Sequence, residues 1–182
     1  MRNRCLVIVI VEDEQHEMFV RRYLRRRGME PHAMRIKRSP SGEGSAEHWV
    51  RKAFVEEANV YRNRHARTKL ILVIDADTAT VQDRLSQLDQ ALKNAGKKPV
   101  DPANEQIARL IPKRNIETWI LCLNEKPVDE ETDYKNTRDD WNELIPPAAE
   151  TLFQWTSSKA EPPNHCVDSL RIGVRELNRL RF

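Results

Sequence analysis

Two apolar runs in this chain each end in acid. CLVIVIV at 5–11 leads directly into Glu12, and KLILVID at 69–75 ends on Asp75, with Asp77 two residues beyond. Runs this short, continuous and rich in Val, Ile and Leu predict strands buried on both faces, as in a parallel sheet. Ligands of open α/β sheets gather at the carboxyl ends of such strands. Residues two apart on an extended chain share a side, so Asp75 and Asp77 are expected to face the same way. Glu12, Asp75 and Asp77 would then offer oxygens to a hard divalent cation, Mg²⁺ or Mn²⁺, with room left for water and a substrate phosphate. Such a cation would also relieve the repulsion among grouped acids. The plainer use of the same residues is structural, with Glu12 and Asp77 capping the helices that follow and Asp75 hydrogen-bonded to a loop.

An alternating chain must position these acids. From Glu14 to Arg27 the residues Met18, Phe19, Val20, Tyr23 and Leu24 fall mainly at helical spacing, and Gly28 supplies a stop. Residues 32–38 alternate weakly as a second strand, SPSGEGS at 39–45 reads as a loop, and Ala46 to Arg64 as a long helix. After the 69–75 strand come a helix over 80–95, closed by Gly96, a fourth strand at 106–111 ending at Pro112, and a helix over 116–123. The expected fold is α/β and Rossmann-like, a four-stranded, mainly parallel sheet flanked by helices, over residues 1–125. The segment 126–140, KPVDEETDYKNTRDD, is polar and reads as an exposed connection. Two helices follow, one over 141–155 interrupted by Pro146 and Pro147, the other over 167–180 with Leu170, Val174, Leu177 and Leu180 on one face. Residues 126–182 are therefore expected to form a small helical extension packing on the core.

Composition narrows the function classes. No apolar run approaches the roughly 20 residues of a membrane span, and the early apolar stretch lacks a small-residue cleavage site, so it reads as a strand rather than a signal peptide. Cys5, Cys122 and Cys166 form no CxxC pair, which fits reduced thiols in the cytoplasm and argues against structural zinc. The net charge of +3 hides two cationic clusters, RRYLRRR at 21–27 and Arg62, Arg64, Arg67 and Lys69. Such clusters either attract phosphates or are simply solvated helix faces. His32, His48, His65 and His165 show no metal-ligand spacing, and SPSGEGS lacks the GxxxxGK[ST] pattern of a nucleotide-binding loop. Trp49, Trp119, Trp141 and Trp155 could stack on bases, though three lie among apolar helix positions that suit the core.

A glutamate after the first hydrophobic strand followed by a DxD after a later one resembles the Toprim domain of topoisomerases, bacterial primases, recombination proteins and OLD-family nucleases. The resemblance covers about residues 5–125 and implies that Glu12, Asp75 and Asp77 surround Mg²⁺, with Glu12 in acid–base work. Two positions depart from the pattern. Asp13 stands where the family has glycine, whose conformational freedom lets backbone approach a phosphate, and the further acid of the family is represented by His16 and Glu17, which either face the site or lie on the helix surface. The segment IPKRNIETWIL resembles the stretch after the fourth strand in small Toprim-like proteins of prophage and defence loci. That likeness brings Glu117 toward the acids as a further carboxylate, the other use of Glu117 being first-turn helix stabilisation. It also sets Lys113 and Arg114 beside the site, Arg114 being the better suited to pair with phosphate.

The function expected on this basis is a Mg²⁺-dependent nuclease or nuclease subunit acting on DNA or RNA through Glu12, Asp75, Asp77, Glu117 and Arg114, with a cation-activated water as the attacking group. The resemblance further implies phage defence with a partner ATPase, since the chain has no Walker motif. The rivals are a non-catalytic Toprim-type module that binds nucleic acid or protein, and, third, a receiver-like signalling domain.

Overall fold

The computed structural model describes residues 5–42, 44–64, 67–158 and 161–182. Its elements are β1 (Leu6–Val11), α1 (Glu14–Arg26), a 3-10 turn (Pro31–Ala33), β2 (Met34–Arg38), α2 (Ala46–Arg62), β3 (Thr68–Val73), α3 (Val81–Asn94), β4 (Ile107–Leu110), α4 (Ile116–Leu123), α5 (Trp141–Ser158) and α6 (Asp168–Arg179). The strands form one sheet in the order β2-β1-β3-β4, and every pairing is parallel. The chain therefore has the Rossmann-like α/β arrangement expected, and the sheet is wholly rather than mainly parallel. His65, and Glu43 of the SPSGEGS loop, lie outside the described residues.

Strand alternation divides the core in two. Val7, Val9, Val11, Ile71, Val73, Ala108 and Leu110 face α1, α4, α5 and α6. Ile8, Ile10, Leu70, Leu72, Ile74 and Ile107 face α2 and α3. This follows from handedness: the crossover from β1 to β2 runs one way along the sheet and the next two run the other, so right-handed connections must place α1 on the face opposite α2 and α3. Burial on both sides leaves the central strands with no polar face, hence their unbroken apolar sequences.

The helix starts are set by side chains that accept a backbone N–H three residues on. Asp13 caps α1, Ser45 caps α2, Asn115 caps α4, and Thr80 with Asp83 forms a reciprocal capping box on α3. Neither Glu12 nor Asp77 is a cap. Pro146 and Pro147 do not interrupt α5, which runs unbroken from Trp141 to Ser158. They sit in its second turn, where the backbone bonds they remove involve the carbonyls of the exposed residues Asn142 and Glu143, which water can satisfy. Among the described residues no helix is long and apolar enough to cross a membrane.

The connection 126–140 does more than bridge. Asp133 Oδ1 accepts from Asn115 Nδ2 at 2.8 Å, at the start of α4, and Glu130 Oε1 accepts from the Ser169 N–H at 2.9 Å, at the start of α6. The segment is thereby pinned across the carboxyl edge of the sheet.

Candidate functional site

In this strand order the crossovers from β1 and β3 leave in opposite directions, which opens a crevice beyond their carboxyl ends. Glu12 follows β1 and Asp75 lies two residues past β3, so register alone brings them together. The Asp75 N–H donates to Glu12 Oε2 at 2.8 Å.

Asp13 and His16 complete the group. Asp13, extended at φ −140°, uses Oδ1 to accept the His16 N–H at 3.0 Å, and the same oxygen lies 2.7 Å from His16 Nδ1. His16 Nε2 is 3.0 Å from Asp75 Oδ1. An imidazole with a carboxylate on each nitrogen satisfies both only as the doubly protonated cation. Burial opposes that charge, but Asp75 and Asp13 outweigh it and hold the His16 pKa well above the ordinary value. In return, although burial raises it, the Asp13 carboxyl is held below the usual range by its bonds to His16 and the nearby charge of Lys135.

His16 is fully buried, so its placement on the helix surface is excluded. A signal for this existed. His16 lies one turn ahead of Phe19, Val20 and Tyr23 at helical spacing, on the face that α1 turns to the core. Glu17 is the residue on the surface, paired with Arg21 at 2.7 Å and Arg38 at 3.2 Å.

Glu12, His16 and Asp75 each present one ligand-type atom within 4.8 Å of the others. Glu117, in the first turn of α4, is buried within reach of the charges of Asp75 and Asp13 but outside that group of atoms. Burial and the charge of Asp75 push the Glu12 carboxyl up to about 7, against the pull of His16 and the Asp75 N–H. Glu117 is raised to about 6, chiefly by burial, with Asp75 and Asp13 adding to it. Two buried carboxylate oxygens, Asp75 Oδ2 and Glu117 Oε2, have no hydrogen-bond partner.

Lys135 is the residue at the acidic group that the sequence did not signal. It stands in the polar connection, where nothing in composition or spacing sets it apart. Asp133 Oδ1 accepts its N–H at 2.9 Å, and its Nζ reaches 3.5 Å from Asp75 Oδ2 and 3.9 Å from Asp13 Oδ2. Burial would lower the Lys135 pKa, but Asp75, Asp13, Glu117 and Glu12 together raise it.

Asp77 and Arg114 sit apart from this centre. β3 ends at Val73 and Asp77 adopts φ +54°, so strand alternation does not carry through to it. Its side chain is 54% exposed, with Oδ2 3.6 Å from Arg84 Nη2, so it faces solvent where Asp75 faces the interior. Burial and Asp75 still raise its carboxyl, while Lys135, Arg84 and Arg114 oppose the shift. Arg114 Nη2 lies 3.6 Å from Asp133 Oδ2, and Lys113 Nζ 3.5 Å from Glu131 Oε1. Arg114 thus flanks Asp77 on the rim rather than touching Glu12 or Asp75.

The donor set fits a hard divalent cation. Glu12, Asp75 and Glu117 offer carboxylate oxygens, the chemistry such ions select, and two of these oxygens have no hydrogen bond, though the Lys135 ammonium stands 3.5 Å from Asp75 Oδ2. His16 does not fit as a ligand, because both ring nitrogens are occupied by carboxylates. Comparison with protein-family models, with curated proteins and with solved structures returned no match.

Proposed function

We propose that this chain is a Toprim-like, Mg²⁺- or Mn²⁺-dependent nuclease, with Glu12, Asp75 and Glu117 as the residues that hold the cation and Asp77 and Arg114 at the rim. The observation that supports the reading is a pair of buried carboxylate oxygens, Asp75 Oδ2 and Glu117 Oε2, without a hydrogen-bond partner, Asp75 Oδ2 having only the Lys135 ammonium 3.5 Å away. Leaving such atoms unsatisfied is costly unless something fills the site. When bound, the cation would polarise a phosphoryl oxygen and favour attack by water.

The chain's own residues prepare that chemistry. His16 fixes Asp75 by Oδ1, which leaves Oδ2, faced by Lys135 Nζ at 3.5 Å, for a ligand that displaces the ammonium. Glu12 is held by Oε2 on the Asp75 N–H, which leaves its second oxygen for a cation or a proton. Arg114, a quarter exposed on the rim, can pair with phosphate oxygens once a substrate displaces Asp133. With no Walker motif in the chain, a partner ATPase belongs to the same proposal.

The test is incubation with plasmid, single-stranded DNA and RNA in Mg²⁺ or Mn²⁺, beside Glu12→Gln and Asp75→Asn. Cleavage should fall by about a hundredfold or more in each, as for loss of groups that stabilise the transition state directly. Undiminished cleavage by both variants rules the mechanism out.

A second reading has one observation in its favour. His16 and Lys135 already set two cations against Asp13 and Asp75, which neutralises the acids without a metal. On that basis the domain would be a non-catalytic binding module, and nucleic-acid binding without cleavage in either metal would select it.

A further inference from the structure

The arginine run at 21–27 has no part in the acidic centre, yet α1 aims it along a surface that begins there. Arg21, Arg22, Arg25 and Arg26 are all exposed. They wall a groove of about 580 Å³ between α1 and α5, with Met18, Ile145 and Pro146 beside them as its apolar lining. Arg21 is tied to Glu17 at 2.7 Å and Arg26 to Glu150 at 2.8 Å, while Arg22 and Arg25 have no ion pair among the described residues. These two are one turn apart and so share a helix face.

The basic surface is continuous with the site. Arg38 ends β2 in register with Val11, the residue before Glu12. Its Nη1 lies 3.2 Å from Glu17 Oε2, and Glu17 in turn holds Arg21. A path of guanidinium groups thus runs from the carboxyl edge of the sheet, past Glu17, to the last turn of α1, about 20 Å for a helix of this length.

We infer that the α1–α5 groove is a track for single-stranded nucleic acid, with Arg22 and Arg25 on its phosphates and the apolar lining under its bases. The charge selects a polyanion. The shape selects the strand: a cleft with cationic walls and an apolar floor receives unpaired bases and phosphates together, whereas a duplex presents only its outer phosphates to such a feature. The inference rests on the nucleic-acid reading above and gives that reading a substrate class and a direction of approach.

Binding is measured by fluorescence anisotropy in EDTA, so that cleavage plays no part, using labelled single-stranded DNA, single-stranded RNA and duplex DNA over a series of salt concentrations. The test variant is Arg22→Glu/Arg25→Glu. The control is Arg64→Glu/Arg67→Glu, which makes the same change in net charge in the connection from α2 to β3, α2 lying on the face of the sheet opposite α1 and α5. Wild type and control should bind single strands more tightly than duplex, and the test variant should bind about tenfold or more weakly. Its slope of log affinity against log salt should be shallower by about 1.4, at about 0.7 for each phosphate contact removed from a single strand. DNA bound more tightly than RNA, or the reverse, identifies the natural strand and supports the track either way. Equal weakening by the control, no weakening by the test variant, tighter binding of duplex, or no binding by wild type at low salt overturns it. Tight binding through these arginines without cleavage in Mg²⁺ would leave the track standing and remove the nuclease.

Discussion

At Asp75 one carboxylate oxygen is held by His16 and the other has no hydrogen bond, only the Lys135 ammonium 3.5 Å away, so a single buried side chain stands between two cations. Replacing His16 by Ala would leave the buried Asp75 with only the half-exposed Lys135 ammonium, and the cost expected is about 3 kcal/mol, the low end for breaking a buried pair, read by urea denaturation in EDTA. A divalent ion should then restore part of the loss, raising the variant's midpoint more than that of wild type. The pH dependence follows from the same group. His16, Glu12 and Glu117 all have raised pKa values, so each favours the fold below its unfolded value and withdraws that support as pH climbs through its folded value. For the two glutamates the window runs from 4.5 to about 7 and about 6. Asp13 acts in the opposite sense, giving stability above 3.8 that is lost below it. In EDTA, denaturation midpoints should therefore peak at mildly acidic pH and decline toward neutrality, and Glu12→Gln with Glu117→Gln should flatten the decline. A curve that rises between pH 5 and 7 would contradict the assignment. Glu12 and Asp75 were legible because a buried strand that ends in acid is a local pattern. His16 was hidden by the weight given to its type over its helical phase.

At the scale of elements, the contact that seats α6 is an indole against bare backbone. Trp119 of α4 is fully buried, and its Nε1 donates to Ser169 Oγ at 2.7 Å. One turn along, a Cβ on Gly173 would meet the Trp119 ring at 2.4 Å. Gly173→Ala should therefore cost about 1–3 kcal/mol by overpacking despite the better helix propensity of alanine, and a stability equal to or above wild type would show that the helices can part without penalty. The glycine is unremarkable in sequence, because its neighbour comes from another helix. The 126–140 connection illustrates the same limit. Its polarity marks it as lacking sheet, with only Val128 packing against the core, but its pins to Asn115 and Ser169 are tertiary, and they are what carry Lys135 onto Asp75. Because that ammonium stands against the oxygens a cation would take, Lys135→Met should tighten Mn²⁺ binding by about tenfold, the factor given by removing about 1.4 kcal/mol of charge repulsion. Titration calorimetry reads it directly, and unchanged or weaker binding would mean that Lys135 does not compete.

For the molecule as a whole, the layers were readable from the chain because β1, β3 and β4 are buried on both faces and every crossover is a helix, which leaves few parallel arrangements. What no local pattern could supply was the strand order, and with it the crevice between β1 and β3, since order depends on which way each crossover turns. The same large-scale packing governs how the polypeptide holds together. Leu170, Val174 and Leu177 of α6 and Ala148, Ala149 and Leu152 of α5 lie in one continuous core with Val7, Val9, Phe19 and Trp119. Cutting after residue 125 would uncover that face of α1 and α4 and leave Trp119 without Ser169 or Gly173. Each large apolar side chain so exposed forfeits about 1.5–3 kcal/mol, and several together exceed the roughly 5–15 kcal/mol that holds a domain of this size folded. The 1–125 fragment should accordingly bind a hydrophobic dye and lack a cooperative urea transition, while the full chain unfolds in a single transition at which near-UV and far-UV circular dichroism coincide. A fragment with native-like near-UV signal and its own sharp transition would show instead that the four strands and first four helices suffice, and that the Lys135 segment and α6 are laid onto a site already formed.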